Sequence, residues 1–244
     1  MRRRFFIEQF DASTAILRGE AAEHLGRVLR AEPDQLYELS DGERVWLAKV
    51  ARVALAKRGE SRVEFSLVEP IPASAPRLRI DLLLSIVKFD RFEWCLEKAT
   101  ELGVTNVIPL AAARTDKPLI AAAQKRRERW SKILVESAQQ SRRLRAPLLG
   151  EIGSTDKIFS GAAAGLKIVL SERRDAATMR VVLEPASAAS TASLAIGPEG
   201  GWTDEELSAA RRENFVEASL GENILRTETA VVSAMAILNF ALGE

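Results

Sequence analysis

Apolar and polar positions alternate in short runs over residues 35–39, 45–52 and 62–68, the period-2 pattern of half-buried strands. Asp41-Gly42 between the first two runs is a turn signal. These segments predict a small β-rich domain. A seam follows at residues 69–76, where Pro70, Pro72 and Pro76 can continue neither a helix nor a central strand, so the stretch reads as a linker. Beyond it the rhythm changes. Strands are predicted at residues 79–87, 104–110, 167–170, 193–196 and 215–220, and helices at 91–102, 121–140, 204–212 and 227–242. Such alternation predicts an α/β domain built on a mainly parallel sheet covered on both faces. The division expected is therefore residues 1–72 and 73–244. Gly103 stands where a helix C-terminal glycine belongs, and residues 186–192, the stretch nearest to low complexity, predict a mobile loop.

The terminal helix is apolar nearly all round: only Ser233 and Asn239 interrupt the run from Ala230 to Leu242. One side can pack on the sheet. The other needs cover, from its own domain or from a second subunit, which small alanines would let approach closely.

Composition changes the picture in three ways. With 47% apolar residues in 244 the chain can build a real core, yet no run nears the ~20 apolar residues that span a bilayer. Glu8 and Asp11 interrupt the short apolar run after the N-terminal arginines, so no signal-peptide core forms and the chain is read as cytoplasmic, with no membrane partner. One cysteine, Cys95, and one histidine, His24, exclude an internal disulfide and a structural zinc site, so no metal is expected. A net charge of +1 hides an uneven distribution: residues 114–145 hold ten Lys/Arg against three acidic residues, and residues 146–244 hold eight against fourteen. The first block suits phosphates, or is a solvated helix face.

The chemistry concentrates at two strand-to-helix junctions. The first, Ile196-Gly197-Pro198-Glu199-Gly200-Gly201, leads through Thr203 and Glu206, a capping box, into a helix. Glycines there let backbone approach a ligand, although a tight turn alone would use the same residues. It lacks the Gly-Lys-Ser/Thr of a P-loop and the spacing of a dinucleotide fingerprint. The second junction, residues 220–230, follows one strand later, and the two loops are expected side by side at the C-terminal ends of parallel strands, where open α/β sheets bind ligands.

"IGPEGG" (196–201), "LGENILRTETA" (220–230), "EKATELGV" (97–104), "HLGRVLR" (24–30) and "ESAQQSRRLRAP" (136–147) together resemble the SPOUT-class RNA methyltransferases, and within them the family that methylates N3 of a uridine in 16S ribosomal RNA. The resemblance covers nearly the whole chain. It implies an α/β SPOUT domain with a deep trefoil knot, a small N-terminal PUA-like β-barrel that binds RNA, a homodimer, and the 16S rRNA of the 30S subunit as partner. It also implies S-adenosylmethionine as cofactor, held by Ile196, Gly197, Pro198, Glu199, Gly200 and Gly201 on one wall and Leu220, Gly221, Ile224, Leu225, Arg226 and Thr227 on the other. Two departures stand out: Phe89 replaces the glycine usual in "KGDR", and Trp202 fills a variable place.

Methylating N3 of uracil requires loss of its proton and stabilisation of charge spreading onto two carbonyl oxygens. Arg226 is the candidate for the charge, with Arg142 and Arg145 behind it, and Glu228 for the proton, although a glutamate in a helix's first turn also serves the dipole. For RNA contact the candidates are His24, Arg27, Arg30, Arg142, Arg143 and Arg145, with Arg27 and Arg30 expected on one helix face; solvated surface is the alternative. The competing functions are a SPOUT enzyme acting on a ribose 2′-hydroxyl or another base, and a non-catalytic RNA-binding protein.

Overall fold

The computed structural model describes residues 3–56, 59–73, 76–162, 165–186 and 188–243. Residues 74 and 75 of the expected linker, and residue 187 of the expected loop, lie outside them. The chain packs as two compact units, Met1–Ala75 with Ala138–Ala146, and Pro76–Ser137 with Pro147–Glu244.

The first unit is built on β1 (Arg4–Phe6), β2 (Thr14–Arg18), a short helix α1 (Gly19–Glu23) running into a π turn at His24–Val28, then β3 (Leu36–Ser40), β4 (Val45–Ala54) and β5 (Arg62–Ile71). They form a five-stranded sheet of order β1-β3-β4-β5-β2, antiparallel except for the β1–β3 pair. Phe5, Leu17, Leu25, Leu39, Val50 and Phe65 fill its core. β5 carries on through Pro70 into the seam expected to be a linker, pairing Trp46 with Pro70 and Val45 with Ile71. Proline is tolerated there because β2 pairs only with residues 62–66 of β5, which leaves the far end an edge with no partner for the missing N–H.

The second unit alternates as expected: β6 (Arg79–Ser85), α2 (Phe89–Glu101), β7 (Asn106–Ala111), α3 (Lys117–Ala123), α4 (Arg127–Gln140), β8 (Leu148–Leu149), β9 (Gly153–Ser154), α5 (Thr155–Gly161), β10 (Leu166–Leu170), β11 (Ala177–Thr178), α6 (Met179–Leu183), β12 (Thr191–Ile196), α7 (Asp204–Arg212), β13 (Val216–Ser219) and α8 (Thr227–Leu242). Every strand pair in its sheet is parallel, in the order β11-β13-β10-β12-β6-β7-β8, with β9 also on β7. Both faces are covered. Leu82, Leu84, Ile168 and Leu194 point to a core shared with α2, α4, α6 and α8, while Leu83, Val169 and Ala195 point to one shared with Phe159, Trp202 and α7. This alternation is why the strands read as predominantly apolar runs, each buried leucine contributing about 1.5–3 kcal/mol.

Two local expectations change and a third holds. The single helix over residues 121–140 is two, broken by a 3-10 turn at Gln124–Arg126, where Arg126 stacks on the Phe89 ring at 4.9 Å and Arg127 reaches the Gly150 carbonyl at 2.6 Å. Thr191 and Ala192, placed in a loop by their small neighbours, belong to β12 because they pair with Arg79 and Ile80 of β6. Gly103 has φ +89 after α2, as its C-terminal position requires.

Candidate functional site

Three loops converge at the C-terminal ends of β10, β12 and β13: residues 170–173, 196–202 and 220–227. β10 lies between the other two strands, so the two loops expected side by side are separated by a third that the sequence reading did not include. The reason is topological, since strands adjacent in sequence need not be adjacent in a doubly wound sheet. Together the loops enclose a cleft of about 670 Å³, completed by Arg91 of α2, Arg114 after β7, Asp204 and Leu207 of α7, and Ala230 of α8. Of the expected cofactor residues, Ile196, Gly197, Pro198, Glu199, Gly201, Leu220, Gly221, Ile224, Leu225, Arg226 and Thr227 line it.

Gly200 does not line the cleft. Its missing β-carbon faces the Arg114 side chain at 3.3 Å, and its carbonyl accepts from Arg114 Nη1 at 2.7 Å. The Gly201 N–H donates to the Pro198 carbonyl at 2.8 Å, closing a turn, and the chain leaves that turn through Gly201 at φ +69, which a glycine adopts freely. The Trp202 indole N–H donates to the Leu170 carbonyl at 2.8 Å, tying the 196–202 loop to the 170–173 loop. Directly behind, the capping box forms, and the buried Glu206 carboxylate also accepts from Thr155 Oγ1 at 2.7 Å and the Ala113 N–H at 2.9 Å. On the other wall Gly221 has φ +124 and nothing within 4 Å of where a β-carbon would stand.

Charge is arranged around this frame. Arg91 pairs with Glu199 of the turn and lies 3.9 Å from Glu228 Oε1. Arg226 and Thr227 line the cleft where α8 begins, and the Arg226 side chain does not cap that helix. Glu228 is not among the lining residues; it turns toward α2, and its Oε2 is buried with no hydrogen-bond partner among the described residues. Beside it, burial first and the Glu228 charge second push the Cys95 thiol up to about 12. Apolar walls, backbone groups and a few cations make a site for a small molecule with polar ends.

The RNA methyltransferase domain family matches residues 74–239 of the chain. Over 241 residues the chain is 32% identical to the ribosomal RNA small subunit methyltransferase E of Synechocystis sp., covering 96% of this chain and 76% of that one. The chain belongs to the ribosomal RNA small subunit methyltransferase E family. A relative of the same name from Bacillus subtilis is 29% identical, covering 97% of this chain and 96% of its own. In three dimensions this family member matches the crystal structure of a ribosomal RNA small subunit methyltransferase E from Neisseria gonorrhoeae, bound to S-adenosyl methionine. The TM-score is 0.87 at 28% identity, over 100% of this chain and 99% of that one.

The RNA candidates of this methyltransferase E family chain lie in the first unit. His24 opens the π turn, its Nε2 3.2 Å from Arg3 Nη1. Arg27 sits in that turn and donates to the Ala56 carbonyl at 3.2 Å, whereas Arg30 has φ +51 and lies beyond it, so the two do not share a helix face. The wider π turn, ended by Leu29, is what separates them. Arg142, at φ +56, places Nη1 3.6 Å from Glu38 Oε1, and Arg145 Nη2 donates to the Gly42 carbonyl at 2.7 Å. Arg4 joins them, its Nε and Nη2 donating to Glu38 Oε2 and its Nη1 to the Arg142 carbonyl. Arg143 is half-buried, and desolvation lowers its guanidinium to about 10. Site residues that were not among the sequence candidates include Leu170, Ser171, Glu172 and Arg173 of the third loop, Arg91 and Arg114, and Asp204, Leu207 and Ala230. The polar run after the apolar strand ending at Leu170 is the signal that would have located the third loop.

Among the described residues, no group of His, Cys, Asp and Glu side chains is placed to hold a metal, and no helix is long and apolar enough to cross a membrane.

Proposed function

We propose that this chain transfers the methyl group of S-adenosylmethionine to N3 of a uridine in the 16S rRNA of the small ribosomal subunit. The observation that carries the reading is the convergence of three strand-end loops on one cleft in a chain of this family. The residues present fit the group: Gly221 leaves clear space at the wall, Leu170, Ile196 and Leu225 give apolar cover, and α8 begins at the cleft with no side-chain cap from Arg226. That the neisserial relative's crystal structure is bound to S-adenosyl methionine supports the choice of cofactor. When bound, that cofactor supplies a methyl already activated by its sulfonium charge.

The chain's own residues then orient and stabilise. Arg226, at the mouth where α8 begins, is proposed to donate to the uracil oxygens as N3 loses its proton, since its planar fork stays charged. Glu228 is the carboxylate proposed as proton acceptor. Arg91 Nε lies 3.9 Å from it, and the carboxylate reaches a substrate only by turning from α2 into the cleft. Arg142, Arg143, Arg145, Arg27, Arg30 and His24 are proposed to meet RNA, with Arg142 and Arg145 anchored through Glu38 and Gly42.

The finer architecture belongs to the same reading. Residues 1–72 form a PUA-like domain and residues 73–244 a SPOUT domain with a deep trefoil knot, supported by the order β13-β10-β12-β6-β7. A homodimer in the cytoplasm is proposed through the open side of α8, where Phe240 is 86% exposed. Methyl transfer to isolated 30S subunits, naked 16S rRNA and transfer RNA, run in parallel with nucleoside identification, tests the reading. 3-Methyluridine from the ribosomal substrates supports it, and a 2′-O-methylated or other methylated nucleoside replaces it.

A further inference from the structure

Arg91 stands where helix physics disfavours it. It lies in the first turn of α2, whose N-terminal end repels a cation, and Lys88 before the helix gives no side-chain cap. A tertiary partner must offset this, and there are two. Arg91 pairs with Glu199, in the turn closed by the Gly201-to-Pro198 hydrogen bond, and its Nε lies 3.9 Å from Glu228 Oε1 in the first turn of α8. The three side chains are 27%, 46% and 21% exposed, so the Glu228 side of the bridge is partly shielded from water while the Glu199 side faces it.

We propose that Arg91 is a positioning residue that pins the Pro198–Gly201 turn to the first turn of α8, bridging Glu199 and Glu228 so that the cleft keeps its shape before any ligand arrives. Neither carboxylate alone requires an arginine. A planar guanidinium with donors on several edges can face both at once, and a lysine ammonium can satisfy one well. The pin also gives Glu228 a reason for its orientation: released by Arg91, it would be a half-buried carboxylate with one oxygen already lacking a partner. The effect on cofactor binding rests on the function proposed above; the effect on the turn does not.

Hydrogen exchange of the full chain without ligand reads the pin directly. Arg91→Ala should speed exchange of the Gly201 amide, which closes the turn, by about tenfold or more while leaving the β6 amides unchanged. Glu199→Gln should do the same, and the Arg91→Ala/Glu199→Gln double variant should add nothing further at the turn, because both remove the same Arg91–Glu199 contact there. Arg91→Lys should restore part of the protection. Should Arg91→Ala fail to fold, the Arg91→Ala/Glu228→Gln variant removes the stranded carboxylate and carries the same measurement. Unchanged exchange in a folded Arg91→Ala, or effects of the two single variants that multiply, would overturn the pin. S-adenosylmethionine titration of the same proteins separates the two ideas. A wild type that fails to bind overturns the cofactor reading while exchange still decides the pin, and a wild type that binds should lose affinity by about tenfold in Arg91→Ala.

Discussion

Gly197 and Trp202 face one another within the 196–202 loop: a β-carbon on Gly197 would stand 3.1 Å from Cε2 of the indole. The glycine is there for the tryptophan. On sequence grounds a side chain at Gly197 would fill ligand space and leave the fold intact, but the geometry directs the damage inward. Gly197→Ala should displace the indole, weaken its hydrogen bond to Leu170 and lower stability by about 1–3 kcal/mol in a denaturant titration. Gly221→Ala is the contrast, since open space lies where its β-carbon would stand. Its φ of +124 makes it cost about 1–3 kcal/mol in backbone strain, and its methyl enters the cleft, so ligand affinity should fall as well.

Glu206 gathers the N-cap, Thr155 and the Ala113 N–H under the loop. Glu206→Ala should leave those donors buried and unpaired, at about 2–4 kcal/mol. Glu206→Gln should be milder, because its carbonyl still accepts. Thermal denaturation of the two variants side by side gives the comparison.

The Arg4–Glu38 pair is buried, at 9% and 8% side-chain exposure. Glu38→Ala should strand Arg4 and cost about 3–5 kcal/mol. The Arg4→Met/Glu38→Leu double variant should recover most of it. Because Arg4 and Glu38 also hold the Arg142 carbonyl and side chain, proteolysis within residues 138–146 should rise in Glu38→Ala and serve as a second readout.

Cys95 supplies a pH dependence with a definite sign. Its folded value of about 12 stands above the ordinary 9.0, so the folded state holds the proton more tightly than the unfolded one. Its contribution is fully present below pH 9 and is lost as pH rises toward 12. Cys95→Ala should flatten the alkaline limb of a stability–pH curve, and in the native wild type the thiol should resist alkylation at pH 8 until the protein unfolds.

Arg145 tests the RNA side. It is exposed and held by one carbonyl, so Arg145→Ala should weaken RNA binding and reduce the salt slope by roughly 0.7–0.9 if it meets a phosphate. An unchanged slope in filter binding across a salt series would assign it to the fold alone.

The sequence carried the second unit best, because parallel strands buried on both faces leave apolar runs such as Leu82 to Val87 that no loop imitates. The capping box at Thr203 and Glu206 and the left-handed Gly103 were legible for the same reason, each being a local rule with a local residue. What escaped depends on distant partners. β1 and β2 are short, the strand through Pro70 relies on an open edge, and β10's place between β12 and β13 has no local signature. In the site, two of three loops were readable from their glycines, whereas Arg91 and Arg114 contribute through contacts 108 and 86 residues away in the chain.

The position of β10 between β12 and β13 bears on the timing of synthesis. The cleft draws on residues from Arg91 in α2 to Ala230 in α8, and its middle strand cannot be flanked until the last strand has been made. On a translating ribosome, where segments emerge in order, the earlier strands can pair among themselves but the pocket stays incomplete until α8 is free to dock. Ligand protection therefore arrives only once α8 has docked, and a product truncated before β13 lacks the whole 220–227 wall of the cleft.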